Sequence, residues 1–145
     1  MSLTTNNDAA ARTQVDYYGA GRYELAGESV TADYVDHEAP PGTPAGPEGA
    51  NAVLRWLRGA FDDLSYEILD AFADGDRVAM RVATRGTHTG EFMGKAATGR
   101  QFDIESIHIY RIENGKVAEH WAKRDDVALA QQIGLFEHHA PAERP

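Results

Sequence analysis

The sequence predicts an α+β fold in which N-terminal helices cover the concave face of a curved antiparallel β-sheet. Helices and sheet would together form a cone-shaped α+β barrel with a central cavity. Two observations carry this prediction. Apolar residues recur at spacings of three and four in the first part of the chain, as on the buried face of a helix. After Asp62 the period changes to two, and turn signals separate the alternating segments.

Composition limits the class of protein. The chain has 145 residues, of which 42% are hydrophobic, and this suits one domain with its own core. No apolar run approaches the ~20 residues of a membrane span, and residues 1–20 lack an apolar signal-peptide core, so we expect a cytoplasmic protein. A net charge of -9 argues against nucleic acid as a partner, and the absence of cysteine excludes disulfides and thiolate metal sites.

Two helices are predicted ahead of the sheet. We expect a disordered N-terminus over residues 1–8 and then a helix from Ala9 to Gly27. A loop rich in proline and glycine follows over Asp36–Gly49. The second helix opens at Gly46–Glu48, because proline suits the first turn and glutamate favours the helix N-terminus. Its apolar stripe consists of Ala50, Val53, Leu54, Leu57 and Phe61.

Four antiparallel strands are predicted next. The first begins at Tyr66 and ends at the Asp74–Asp76 turn, whose Asp-Gly pair is typical of a hairpin. The return strand has Val78, Met80, Val82 and Thr84 on one face and Arg77, Arg81 and Arg85 on the other. A loop over Gly90–Gly99 precedes the third strand, Gln101–Ile112, and an Asn-Gly turn leads to the fourth, Lys116–Arg124.

A short polar stretch closes the fourth strand. Asp125 or Asp126 can cap a last helix that ends at Gly134, and the single domain is expected to cover residues 9–134, with a loose tail over 135–145. Strand alternation groups Asp125 with Val117 and Trp121 and sets Arg124 on the opposite face. We therefore expect Arg124 to be a charged surface residue or to form a salt bridge.

Several segments follow one another along the chain in a distinctive order. They are DHEAPPGTPAGPEG, FDDLSYEI, DGDRVAMRVATRGTHTGEFMG, HIYRIENGKVAEHWAKRDD and LAQQIG. This series resembles the SnoaL-like polyketide cyclases (ester cyclases) of the nuclear-transport-factor-two-like superfamily, and the resemblance covers Tyr17–Gly134. It implies cofactor-independent acid/base catalysis, an intramolecular aldol-type cyclisation of an apolar carbonyl or polyketide-like molecule. The alternatives are a hydroxylase-like member acting on an aromatic polyketide and a non-catalytic small-molecule-binding domain.

The resemblance also implies two catalytic residues. In the family an aspartate after the HW strand is the general acid/base, and a histidine supports its proton network. Asp125 and His108 match these roles, with His120 as the alternative histidine. Burial would have to raise the pKa of Asp125 from its ordinary ~4. A helix cap is the competing role for Asp125, and a hydrogen-bonded core position is the competing role for His108.

Aromatic and histidine side chains complete the predicted pocket. Its expected lining residues are Tyr17, Tyr18, His37, Trp56, His88, Phe92 and Trp121. The aromatic rings suit a flat apolar slot for a ring-bearing ligand, although core packing would also explain each of them. His37 follows Asp36, so an Asp-His pair could fix one imidazole tautomer, and local bracing of the loop is the alternative. His88 either lines the mouth of the cavity or braces a turn.

No cofactor and no metal are expected. The histidines lack the HxxxH or HExxH spacing of a helical zinc site, and the glycines do not form a phosphate loop. The expected ligand is an apolar small molecule, without nucleic acid or membrane as a partner. Glu105, Ile107 and Ile109 share the nominal outer face of the sheet, and the two isoleucines predict a homodimer.

Overall fold

The computed structural model describes residues 3–135 and confirms the predicted α+β fold, with helices packed on a curved five-stranded sheet. The α-helices are α1 (Leu3–Ala11), α2 (Ala26–Ser29), α3 (Gly46–Ala60) and α4 (Asp126–Ile133). The strands are β1 (Val30–Asp36), β2 (Ser65–Asp74), β3 (Arg77–Thr87), β4 (Gln101–Glu113) and β5 (Lys116–Arg124). No helix within residues 3–135 is long and apolar enough to cross a membrane.

The sheet has the strand order β1-β5-β4-β3-β2, and the predicted meander of four antiparallel strands is present as β2 to β5. Strand β4 alternates strictly between exposed and buried positions along most of its length. Its buried face consists of Phe102, Ile104, Ser106, His108, Tyr110 and Ile112. Ser106 and His108 are polar and yet buried, so the inner face of β4 holds more than packing side chains.

Strand β1 was not predicted, and it alters the purely antiparallel sheet that the sequence indicated. It pairs with β5 in parallel, so that Val30 lies opposite Val117 and Asp36 lies opposite His120. The pairing is interrupted between Val30 and Val35, and the burial of the strand does not alternate regularly. A strand without a clean period of two gives little signal in the sequence. Its position is fixed by β5 and α3 instead.

The N-terminal region differs from the single helix predicted over Ala9–Gly27. Helix α1 begins at Leu3, within the segment expected to be disordered, and the Asn6 side-chain amide donates to the Gly75 carbonyl at 2.9 Å. The helix continues as a π-helical segment over Arg12–Gly19, and a short 3-10 turn and α2 follow. Packing of this end against the β2–β3 turn therefore extends order toward the N-terminus. At the other end of the chain, the tail predicted over 135–145 lies outside the described residues from position 136 onward.

Helix α3 begins at Gly46, as the proline-glutamate pattern predicted. Gly46 has φ +81°, and a Cβ atom there would lie 2.4 Å from the Ala32 carbonyl oxygen, so β1 and α3 can approach only because this residue is glycine. The helix buries its apolar stripe against the sheet. A second core cluster, around Phe61, Phe102 and Ile133, fills the space where the C-terminal end of α3 approaches α4.

Candidate active site

A continuous chain of hydrogen bonds joins four side chains on the inner side of the sheet. Asp36 Oδ1 lies 2.9 Å from His120 Nδ1. His120 Nε2 lies 2.8 Å from His108 Nδ1, and His108 Nε2 lies 2.8 Å from Ser106 Oγ. The side chains of these residues are buried or nearly so. We refer to Asp36, His120, His108 and Ser106 as the relay.

The sheet positions every member of the relay. Asp36 ends β1 directly beside His120 on β5, although the two are 84 positions apart in sequence. Ser106 and His108 lie two residues apart on β4, so their side chains share the inner face. The His108 and His120 rings stack with centroids 5.1 Å apart, and the Tyr110 ring stacks on His120 at 5.0 Å. Rigid strands and stacked rings therefore fix the geometry.

The chemistry of the groups determines the direction of the hydrogen bonds. Burial alone would raise the pKa of Asp36, but the hydrogen bond and charge of His120 and the bond from the Glu38 amide lower it overall. Asp36 is thus an ionised acceptor. Burial, followed by the charges of His120 and Arg124, lowers the pKa of His108 from 6.5 to about 3, so this imidazole is neutral.

Two arrangements of the protons satisfy these constraints. With His120 neutral, Ser106 donates to His108, His108 donates to His120, and His120 donates to Asp36. With His120 protonated, both of its nitrogens donate, so His108 takes the other tautomer and donates to Ser106. A proton that enters at Ser106 can therefore come to rest on His120, beside the Asp36 carboxylate.

An apolar cavity lies next to the Ser106 end of the relay. Its volume is about 380 Å³, within the range of small-molecule sites. The wall is made by Trp56, Leu57, Phe61, Leu64, Tyr66, Thr84, Phe92, Met93, Phe102, Ile104, Arg124, Asp126, Val127, Leu129, Ala130 and Leu135. Ile104 is the next inward residue along β4 from Ser106, and Arg124 is the cross-strand partner of Ser106. Burial raises the pKa of Tyr66 to about 12, so its hydroxyl stays protonated.

Two of the predicted pocket residues lie in this wall. The Trp56 and Phe92 rings are 5.5 Å apart, and Phe92 also packs against Phe61 at 5.0 Å. Trp56 comes from α3, and Phe92 comes from the loop that follows β3. Two of the five rings expected in the aromatic slot therefore come together in this wall, whereas those of Tyr17, Tyr18 and Trp121 do not line it.

Asp125 is the cap of the last helix, which is the alternative that the sequence left open. Its Oδ1 accepts a hydrogen bond from the Ala128 amide at 3.1 Å, and its side chain is exposed. The inward residue is its neighbour Arg124, opposite Ser106. The expectation that Asp125 faces the cavity is therefore corrected, and so is the expectation that Arg124 faces away.

A β-bulge accounts for this reversal. Ile112 pairs with Val117, but Arg111 pairs with Glu119, so Ala118 is an extra residue in β5. Val117 is fully buried, whereas the alternation after the bulge is shifted by one residue. Trp121 consequently lies on the outer face, where its ring stacks on His37 at 4.7 Å. The grouping of Trp121 with Asp125 was right, but both residues face outward.

The remaining predicted pocket residues lie away from the cavity. His37 is on the outer side, with Nε2 3.2 Å from Glu119, so the expected pair between His37 and Asp36 is replaced by the pair between His120 and Asp36. Tyr17 is a core residue whose hydroxyl donates to Asn51 at 2.6 Å, and Tyr18 packs against it with ring centroids 4.7 Å apart.

His88 braces a loop, which was the second role considered for it. It is fully buried, and its Nδ1 accepts from the Thr98 amide at 3.3 Å. Its ring packs 5.9 Å from that of Phe61. The residue thus ties the end of β3 to the segment before β4 and supports the cavity wall from behind.

Sequence reasoning missed Asp36, Ser106 and Arg124 as members or neighbours of the site. Ser106 could have been found, because it precedes His108 by two positions on the same strand face. Asp36 could not, since its role depends on the unpredicted strand β1. No group of three or more histidines or carboxylates within residues 3–135 is arranged to hold a metal ion.

Known proteins are similar to this chain along most of its length. A model of the SnoaL-like polyketide cyclases matches residues 8–133. Aklanonic acid methyl ester cyclase DnrD of Streptomyces peucetius is 32% identical over 126 residues, 85% of this chain and 87% of that protein. Nogalonic acid methyl ester cyclase of Streptomyces nogalater is 26% identical over 83% of this chain and 91% of its own.

A solved structure shows the same fold. TsrD from Streptomyces laurentii superimposes with a TM-score of 0.84 at 26% identity, covering 94% of this chain and 99% of its own. The family model covers nearly all of the described residues, including the relay and most of the cavity wall. The chain belongs to the family of SnoaL-like polyketide cyclases.

Proposed function

We propose that this protein catalyses a cofactor-independent, intramolecular aldol-type cyclisation of an apolar, polyketide-like carbonyl compound. One observation carries the proposal: an unbroken relay runs from Asp36 to Ser106, and the two neighbours of Ser106 on the inner face, Ile104 and Arg124, line an apolar cavity of about 380 Å³. An aldol closure needs a group that takes a proton from carbon and returns one to oxygen, and the relay can do both.

In the first step the substrate loses a proton from the carbon next to its carbonyl group. Ser106 Oγ accepts this proton while its own passes to His108 Nε2, and the His108 Nδ1 proton passes to His120 Nε2. His120 becomes an imidazolium beside the Asp36 carboxylate, which stabilises it. The electron pair of the broken C–H bond is left in the enolate. Burial of Ser106 keeps bulk water from this end of the relay.

In the second step the enolate carbon attacks another carbonyl group of the same molecule. A carbon–carbon bond forms, and the carbonyl π electrons move to the oxygen as an alkoxide. The relay then runs in reverse, and Ser106 Oγ donates the proton to this alkoxide. His120 and His108 return to their starting tautomers. The product has the same atoms as the substrate, and no external reagent is consumed.

The methyl esters named for two relatives, aklanonic acid methyl ester and nogalonic acid methyl ester, are the first substrates to test. We expect conversion to a product of unchanged mass and altered retention in liquid chromatography. His108→Gln should lower kcat by roughly 10²- to 10⁴-fold, because the relay is interrupted. His37→Gln is the matched control on the outer face and should keep wild-type activity.

Other outcomes would point elsewhere. A product heavier by one oxygen atom would indicate a hydroxylase-like reaction. Saturable binding of these esters without any conversion would indicate a binding domain and contradict the cyclase proposal.

We also propose a homodimer formed through the outer face of the sheet. Ile107 and Ile109 are 48% and 38% exposed there, and Phe72 is 68% exposed. Phe72, Ala79, Ile109 and Trp121 follow one another across the four antiparallel strands. A second copy would cover this apolar row. We also propose a cytoplasmic location, which is consistent with the relatives named as methyl ester cyclases of Streptomyces.

A further inference from the structure

Arg124 places a basic side chain in the cavity wall. It ends β5 on the inner face, opposite Ser106, and it lines the cavity together with apolar and aromatic groups. Among the described residues of the wall no other lysine or arginine is present. A permanently charged side chain in a mostly apolar cavity indicates where negative charge on a ligand would be bound.

Only one of the three guanidinium nitrogens of Arg124 makes a hydrogen bond to the described residues. Its Nε atom donates to Asp126 Oδ1 at 3.2 Å, and both side chains are accessible, at 42% and 67%. An ion pair this exposed is weak and easily exchanged. The two terminal nitrogens make no hydrogen bond within the part of the chain that the structure describes. They leave a planar pair of donors available to a ligand.

The charge of Arg124 also reaches the relay. The pKa of His108 is lowered by burial first, then by His120, and then by Arg124. Burial raises the pKa of Tyr66, and the charge of Arg124 acts in the opposite direction. Asp126 and Tyr66 are the other titratable groups of the cavity wall. Negative charge that develops next to Ser106 would therefore meet this cation at short range.

We propose that Arg124 is a catalytic residue that binds the enolate oxygen, and that the cavity takes carbonyl compounds able to present two oxygens to the guanidinium, such as 1,3-dicarbonyl compounds. The inference rests on the proposed cyclisation. When the C–H proton leaves through Ser106, the electron pair spreads over the two oxygens, and the terminal nitrogens of Arg124 donate one hydrogen bond to each. Arg124 stays protonated throughout, so the proton balance of the relay is unchanged.

Binding of a phenol tests this subsite without turnover. 4-Nitrophenol is small, flat and coloured only as its anion, so absorbance reports the ionised fraction of the bound probe. We expect wild-type protein to bind the anion in preference to the neutral phenol and to lower the pKa of the bound probe. Arg124→Gln should weaken anion binding by roughly 10- to 100-fold. Arg124→Lys keeps the charge but loses the planar pair of donors. Its affinity for the anion should therefore lie between those of wild-type protein and Arg124→Gln.

Arg77→Gln is the matched control, since it removes the same charge from the outer face, where Arg77 lies 5.0 Å from the Trp121 ring. It should bind the anion as wild-type protein does. Asp126→Asn removes the competing carboxylate and should tighten anion binding. Circular dichroism of each variant checks the fold.

Three results would overturn the inference: no binding of the probe, preference for the neutral phenol, or anion binding that is equal in Arg124→Gln. The proposed cyclisation is tested separately with the methyl esters, where Arg124→Gln should lower kcat by roughly 10²-fold. If anion binding depends on Arg124 but no ester is cyclised, the proposed reaction is wrong and the anion site stands. If wild-type protein and Arg124→Gln cyclise equally, the catalytic role of Arg124 is wrong.

Discussion

The two faces of β5 carry similar residue types in very different surroundings. The inner face presents His120 to the relay and Arg124 to the cavity. The outer face presents Glu119 and Trp121 to His37, with one hydrogen bond and one ring stack. Each face thus has a histidine in contact with a carboxylate.

The two pairs differ in how deeply their side chains are buried. On the inner side, burial is the largest influence on the pKa of Asp36 and raises it, but the hydrogen bond and charge of His120 help to lower it overall. On the outer side, the pKa of Glu119 is lowered mainly by the hydrogen bond from Arg111 and then by that from His37. A desolvated group can hold a proton in a defined place, whereas a solvated pair exchanges with water. The face on which a residue lies therefore tells more about its function than its type does.

The largest difference in activity is expected between substitutions of two aspartates, one in the relay and one on the outer side. Asp36→Asn keeps the size of the side chain but removes the charge that stabilises a protonated His120, so kcat should fall by roughly 10²- to 10³-fold. Asp125→Asn is the matched control, because asparagine also caps helices well. It should retain activity within about threefold. Steady-state kinetics on the methyl esters decide the matter, and loss of activity in Asp125→Asn alone would restore Asp125 as the acid/base.

The next effect concerns stability at mildly acidic pH. His108 has a pKa of about 3 in the folded protein against 6.5 ordinarily, so below pH 6.5 the unfolded chain binds the additional proton. The free energy of unfolding should therefore fall as pH falls from 6.5 toward 3, with a slope of up to about 1.4 kcal/mol per pH unit from this group. Asp36 adds to the loss only near and below its ordinary pKa of 3.8, because its folded pKa is lower still.

Urea unfolding between pH 7 and pH 5 isolates the contribution of His108. The variant His108→Gln should show a clearly shallower pH dependence there than wild-type protein. Equal slopes in wild-type protein and His108→Gln would show that His108 is not a neutral buried group.

The smallest effect on catalysis is expected from the outer face itself. Ile109→Glu places a charge in the apolar row that we propose to be covered by a second copy. Sedimentation should then show a monomer at micromolar concentration where the wild type is a dimer, with activity changed by less than about twofold. The substitution Glu113→Gln, at the edge of the same strand, is a control that should leave the dimer intact. A monomeric wild-type protein would contradict the proposed interface.

Much of the sheet could be predicted from the sequence. The alternating patterns of the strands and the Asp-Gly and Asn-Gly turns indicate which strands are neighbours. His108 could be placed on a buried face for the same reason. The proline before Glu48 likewise predicted the start of α3.

The rest of the site depends on contacts that are distant in sequence. Asp36 reaches His120 only because β1 adds to the sheet edge in parallel, and a parallel pair has no local turn signal. The side chains after Val117 could not be assigned to a face, since no residue type marks Ala118 as a bulge. Periodicity predicted that Arg124 and Asp125 lie opposite each other, but it could not tell which of them faces the cavity.

The unpaired residue Ala118 determines which side of the sheet each later residue of β5 faces. If Ala118 were paired with Arg111 instead of bulging out, the pairing would continue unbroken, and each later side chain of β5 would exchange its side of the sheet. Glu119 and Trp121 would then point toward the helices, while His120 and Arg124 would point to solvent. The identity of the cavity thus depends on how this strand is paired as much as on the residues that line it.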